Sequence, residues 1–214
     1  MVGNHDVGFH FDMIDRKIER FNRSYNGDFV RLHQPKNFND VNFVIVNSMA
    51  FENDNCKFCK KAQKQLDKLN KTLDCLKKLT LNEELDSSCV KEKEKAELNN
   101  RAYSRPILLS HFPLYRSSDS ICPNDVDSEF VVLADKMTST FKPKYDCLSV
   151  EATKQLLDMT NPRLVFNGHT HFSCVNELHG VPEYTIASFS WRNIKTPSML
   201  LVRIFFINFL YIFY

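Results

Sequence analysis

Glycine is scarce in this chain, five residues in 214 against eighteen Phe. That balance excludes a low-complexity or disordered polypeptide and favours a well-packed sandwich. A large charge excess is also lacking: 28 basic against 26 acidic residues leave a formal charge of +2 and a pI near 8.1. No basic run is free of interleaved acids, so the electrostatic footprint of a nucleic-acid binder is missing. No apolar stretch reaches the ~20 residues that cross a bilayer. The longest, Met199 to Tyr214, is interrupted by Arg203 and Asn208 and reads as a final strand over about 198–205 with a tail. Nor is there a signal peptide, since Met1 runs directly into Val2-Gly3-Asn4-His5-Asp6. Such a polar motif usually follows a buried strand, and only two residues stand in for one, so the start reads as cut.

Cysteine is plentiful. Seven thiols point to an oxidising lumen, and the odd number leaves one without a partner in the chain. Asn22-Arg23-Ser24 and Asn70-Lys71-Thr72 are glycosylation sequons in keeping with that compartment. Cys56-Lys57-Phe58-Cys59 could be redox-active, zinc-binding or structural. With no second CxxC and no His nearby in sequence, disulfides that tie down a helical segment, with Cys75 or Cys89 involved, are the expectation.

Apolar periodicity supplies the elements. Phe11, Ile14, Ile18, Phe21 and Tyr25 recur at steps of three and four and predict a helix ended by Asn26-Gly27. Residues 29–33 and 41–47 read as a hairpin. Ala62, Leu66, Leu69, Leu73 and Leu76 mark one helix, and a Lys/Glu-alternating stretch over about 83–102 a second with a solvated face. Ile107-Leu108-Leu109 is a buried strand. Ser149 caps a helix that stops before Pro162. Arg163 to Asn167 and residues 183–189 are further strands.

Chemistry gathers at strand exits. Asn4-His5-Asp6 opens the chain, Ser110-His111 follows one apolar strand, and Gly168-His169-Thr170-His171 follows another. Two residues apart on extended chain, imidazoles project to one side with α-carbons about 7 Å apart, a spacing suited to metal ions roughly 3.5–4 Å from one another. Each residue has a plainer reading as a turn asparagine or a capping histidine. The ordered combination is what singles them out. Arg116 could grip a phosphate bidentately, Trp191 could stack on a sugar, and His179 and Arg192 are further candidates.

The motifs G-N-H-D (3–6), S-H-F-P-L-Y-R (110–116) and G-H-T-H (168–171) resemble those of the calcineurin-like metallophosphoesterases. The stretches 4–10, 145–149 and 188–194 are similar to the branch that remodels GPI anchors in the early secretory pathway. The resemblance covers about residues 3–200. It implies an α/β sandwich of two mixed sheets flanked by helices, here without its first strands. Composition and periodicity divide the chain into a partial domain over 1–198, with a helical insertion at 52–101 and a rim loop at 117–146, and a final strand plus apolar tail over 199–214. Carried over by motif, Asn4, His111 and His169 hold one divalent metal and His171 the other. His5 acts on the leaving group and Asp6 holds its ring. Two ions are implied, manganese first, with zinc or iron as alternatives.

The implied substrate is a GPI-anchored protein or glycolipid that loses ethanolamine-phosphate from a mannose during maturation and ER-to-Golgi transport. The implied site is lumenal on early secretory membranes, with membrane association through segments outside this sequence and no nucleic acid partner. The family's earlier D-x-H and G-D blocks have no counterpart: Asp-x-His occurs nowhere, and Gly27-Asp28 falls after G-N-H-D. Those blocks supply the metal-bridging carboxylate. An inactive fragment or pseudoenzyme is therefore the competing expectation, and a nuclease of the same superfamily a third.

Overall fold

The computed structural model describes residues 1–24, 28–34, 41–52, 54, 56–98, 101–122, 139–193, 198–204 and 210–213. A six-stranded mixed sheet runs in the order β1-β2-β3-β4-β6-β5. Its strands are β1 (Val30–His33), β2 (Phe43–Val46), β3 (Ile107–Leu109), β4 (Leu164–Asn167), β5 (Cys174–Leu178) and β6 (Val181–Thr185). The four central strands β2, β3, β4 and β6 are parallel, and the edge strands β1 and β5 run antiparallel to their neighbours. Strands covered on both faces read as near-continuous apolar runs, as β3 (Ile-Leu-Leu) does, and β4 (Leu-Val-Phe-Asn) up to its last residue.

Helices cover one face: the single turn α1 (Asn4–Val7), α2 (Asp15–Ser24), α3 (Lys57–Thr80) and α5 (Val150–Thr160), while α4 (Val90–Leu98) packs on α3. Here α1 contributes Val7 and α2 Ile18 to the core. Alpha-helix 3 buries Ala62, Leu66, Leu69 and Leu73 in the core that also holds Phe29, Val44, Met49, Leu108, Leu156 and Val165. Each fully buried leucine is worth about 2–3 kcal/mol. Together, α3 and α4 form the crossover between the parallel strands β2 and β3, and α3 lies on the sheet as part of the main core. In α5 the Ser149 hydroxyl accepts the Ala152 N–H at 3.1 Å, and Asn161 closes the helix at φ 41° just before Pro162.

The first helix is shorter than its periodicity predicts. Residues 10–12 form a 3-10 turn, and Phe11 and Ile14 stay exposed. Tyr25, Asn26 and Gly27, read as its end, lie outside the described residues. The edge strand β5, with its polar Asn176 and Glu177, had no sequence signature.

Against the other face of the sheet, Leu200, Val202 and Ile204 meet Ile107, Leu164 and Phe166. Val202 and Ile204 belong to β7 (Leu201–Ile204), which pairs antiparallel with β8 (Leu210–Phe213). Among the described residues the second sheet is the antiparallel pair β7–β8, so that part of the apolar tail runs back along β7. Within the predicted rim loop, 123–138 lies outside the described residues. Among the described residues no helix is long and apolar enough to cross a membrane.

Candidate metal centre

Ligands of open α/β sheets sit beyond the carboxyl ends of parallel strands, and the histidines gather at that edge here. His111 follows β3, and Gly168-His169 follows β4. Gly168 N–H donates to the His111 carbonyl at 3.1 Å, which locks the two exits together. Asn4, from the other end of the chain, reaches the same point: His111 Nε2–H donates to its Oδ1 at 2.8 Å. Asn4 is buried, and Gly3 packs so closely that a β-carbon there would lie 3.0 Å from His111 Cε1.

His169 stands with its ring centroid 5.0 Å from that of His111 and 4.3 Å from that of Phe112. Its Nε2–H donates to the Tyr145 carbonyl at 2.6 Å, which leaves Nδ1 for another partner. Phe9 closes the cluster, stacked on Phe11 at 5.7 Å and edge-on to His169 at 6.2 Å. Burial, and then the neighbouring His169 ring, push the His111 pKa down to about 4. Burial lowers that of His169 too. Both rings are held neutral near pH 7, the form that binds a metal.

Projection of His169 and His171 to one side requires extended chain. Strand β4 ends at Asn167, and both histidines adopt left-handed backbone, at φ 75° and 70°. The side chains are therefore not placed by strand alternation: His169 turns inward, half-buried, and His171 is exposed. The ligand atoms of His111, His169 and His171 are not all within 4.8 Å of one another. Non-glycine residues at positive φ are strained, and such strain concentrates at functional sites.

His5 is exposed on α1. Asp6 was assigned to its ring, but Oδ2 accepts the Gly3 N–H at 2.8 Å and so fixes the α1 turn. Trp191 and Arg192 are exposed in the turn beyond β6, tethered to the site by Ser188 N–H donating to the His171 carbonyl at 3.1 Å.

Two of the sequence candidates are engaged elsewhere in the fold. Arg116 is buried, pairs with Asp119 at 2.6 Å and Glu183 at 3.7 Å, and donates to Thr185 Oγ1 at 3.0 Å, so it is spent inside the protein. His179 occupies the β5–β6 turn with Gly180, both at positive φ, at the opposite end of the parallel strands from the cluster.

Sequence reading missed what lies beneath. Glu183, fully buried on β6, accepts the Leu114 N–H and the Asn167 amide, each at 2.7 Å. It thereby joins the segment after His111, the end of β4 and β6. Burial raises its pKa, opposed by Arg116 and these donors. The one available signal was a carboxylate inside an apolar strand.

Asn4 Oδ1 lies against His111 Nε2, and the His169 ring stands 5.0 Å from that of His111; amide oxygen and imidazole nitrogen are donors that suit a divalent cation of intermediate hardness. A mixed sheet clad by helices, with G-N-H-D, S-H and G-H-T-H at its active edge, defines a sandwich of the metallophosphoesterase type. No family model matches the chain. Among curated proteins it is 39% identical over 205 residues to Metallophosphoesterase 1 of Xenopus laevis, covering 94% of this chain and 48% of that protein. It is 40% identical over 206 residues to the Metallophosphoesterase 1 homolog of Drosophila melanogaster, covering 95% and 50%. With the Mus musculus protein of that name the figures are 39% over 203 residues, 94% and 47%. A solved structure, described as GAP50, the anchor in the inner membrane complex of Plasmodium, superposes with a TM-score of 0.34 at 14% identity, over 73% of this chain and 35% of that one. The chain is similar to these metallophosphoesterases along almost all of its length, and it spans about half the length of the curated relatives it matches.

Proposed function

We propose that this chain carries the metal-holding part of a divalent-metal-dependent phosphodiesterase that removes ethanolamine-phosphate from a GPI-anchor mannose. The observation behind this reading is the convergence of Asn4, His111 and His169 from remote stretches onto the exits of β3 and β4. Asn4, His111 and His169 hold one ion, and the exposed His171 serves the other. Bound divalent ions, manganese by this reading, neutralise the phosphate ester and make water a nucleophile near neutral pH. His5, on solvent-facing α1, delivers a proton to the departing alkoxide, the general-acid role that imidazole most often takes. Asp6 sets the α1 turn from which His5 projects. Trp191 and Arg192 line the approach.

The compartment in this proposal is the lumen of early secretory membranes. Three disulfides, Cys56–Cys59, Cys75–Cys89 and Cys122–Cys174, are in keeping with it, as are exposed Asn22 and Asn70 at the sequons.

A second reading rests on a specific observation. Asp6 is the one carboxylate contributed by the three motifs, and its Oδ2 takes the Gly3 N–H. On that reading the chain alone binds metal without turnover. The deciding experiment is Mn2+-dependent hydrolysis of a bis-aryl phosphodiester and of mannose-linked ethanolamine-phosphate, with His5→Ala alongside. Turnover that falls steeply in His5→Ala supports the enzyme. Metal binding without turnover supports the second reading, and turnover that survives His5→Ala overturns the role of His5.

A further inference from the structure

Away from the histidine cluster, the fold brings four residues together that no local motif links. His10 follows the G-N-H-D turn, Asp54 follows β2, and Cys56 and Cys59 begin α3. Their ligand atoms all lie within 4.8 Å of one another. We propose that, once the Cys56–Cys59 bond is reduced, His10, Asp54, Cys56 and Cys59 form a tetrahedral site for a zinc-class divalent cation. The sequence offered no histidine to this CxxC because the partner stands 49 residues away from Cys59.

Four observations carry the proposal. The donor set is that of a closed zinc site, two thiolates, an imidazole and a carboxylate. Cys59 Sγ already stands 3.6 Å from Asp54 Oδ1, close to the ligand–ligand spacing of about 3.5 Å that tetrahedral zinc bonds impose. Both nitrogens of the His10 ring face acceptors: Nδ1 the Met49 carbonyl at 2.9 Å, and Nε2 the Asp54 carboxylate at 2.5 Å. The Met49 carbonyl holds the ring through Nδ1–H, the outer support that metal-binding histidines use, so Nε2 is the nitrogen a cation takes in place of a proton.

Finally, the sulfurs are prepared for negative charge. Cys56 caps the 24-residue α3, and its Sγ accepts the Cys59 N–H at 2.9 Å. The positive end of the helix and this N–H stabilise thiolate. Two thiolates and a carboxylate overbalance a dication by one negative charge, and Lys144 Nζ, 3.5 Å from Asp54, offsets it. A cavity lined by Phe11, Asp54, Cys56, Lys57 and Tyr145 gives the ion a route from solvent.

Disulfide and metal exclude one another. A dithiol reductant delivers two electrons and two protons to the S–S bond, leaving two thiols and its own disulfide. Cation binding then releases both thiol protons to solvent. The second Asp/Cys group, Asp119 with Cys122 and Cys174, lacks this character, because Asp119 is already paired with Arg116.

The test is titration of the reduced whole chain with Co2+. The expected result is one equivalent with thiolate-to-cobalt charge-transfer and tetrahedral d–d absorption, displaced by Zn2+ and abolished by reoxidation. The double variant Cys56→Ser/Cys59→Ser controls for the other thiols and should lose the charge-transfer band. His10→Ala should bind Co2+ at least about tenfold more weakly. The histidine cluster offers no thiolate, so this band is independent of its metal binding. Should the variants misfold, Zn2+ protection of Cys56 and Cys59 from alkylation, mapped by peptide in the unaltered reduced chain, decides the matter. Absence of the band, its persistence in the double variant, unchanged affinity in His10→Ala, or alkylation of both cysteines at full rate under Zn2+ would each overturn the site.

Discussion

Asn4 and His111 are 107 residues apart in sequence and joined at 2.8 Å through Oδ1 and Nε2. The bond closes the chain's beginning onto the exit of its central strand. Asn4→Ala leaves a buried imidazole N–H without its acceptor, at a cost of about 1–3 kcal/mol. It also removes a metal donor, so Mn2+ affinity should fall by about tenfold or more. Denaturant unfolding and titration calorimetry read the two losses separately. Unchanged Mn2+ affinity would place the metal elsewhere.

Gly3→Ala tests the same junction without removing a polar group. The new methyl would sit 3.0 Å from His111 Cε1 and 3.1 Å from Nε2, so the ring must shift by a few tenths of an ångström. The expected signature is a metal-binding defect of about tenfold with a small loss of stability. A slightly lowered melting temperature together with clearly weakened Mn2+ binding would be its mark, and parental Mn2+ affinity would overturn it.

Glu183→Ala removes the carboxylate shared by the Leu114 N–H, the Asn167 amide and Arg116. Breaking a buried charged network from one side costs about 3–5 kcal/mol. Chemical denaturation should show this loss, and Arg116→Met in the same background should recover part of it, because the orphaned cation is then gone. A cost below about 1 kcal/mol would show that the network contributes little.

Cys147 is the free thiol and is buried, and burial pushes its pKa up to about 11 from an ordinary value of 9.0. The folded state holds this proton more tightly than the unfolded chain does. Its contribution is therefore intact below pH 9 and is lost as pH rises towards 11, by about 2–3 kcal/mol in all. The stability of the parent should fall more steeply across that window than that of Cys147→Ala. Parallel curves would refute the assignment.

The Cys75–Cys89 bridge closes a 14-residue separation between α3 and the turn before α4. Replacing both cysteines with serine should cost about 3 kcal/mol by relaxing the unfolded chain. Calorimetric melting checks this, and an unchanged midpoint would mean the ends are held by α3–α4 packing instead.

What could be read in the sequence were features whose physics is local. The apolar run Ile107-Leu108-Leu109 can only be a buried strand, and Ser149 with Pro162 brackets a helix by capping and sterics. The edge strand β5 escaped because half-solvated Asn176 and Glu177 break the apolar run. Positive φ at His169 and His171 was hidden, since nothing in G-H-T-H reports backbone handedness. Arg116 looked like a phosphate ligand until Asp119 and Thr185 were seen to hold it. The partners of the CxxC, His10 and Asp54, come together only when the sheet forms. The tail was opaque for the same reason, β8 having meaning only against β7.

The Cys122–Cys174 bond ties the segment ahead of residues 123–138 to the start of β5, while Phe141 N–H, on the far side, returns to the Ser117 carbonyl at 2.8 Å. Protease nicking anywhere between 123 and 138 would therefore not part the two halves. They would travel as one species on a denaturing gel until thiol is added, then run as two.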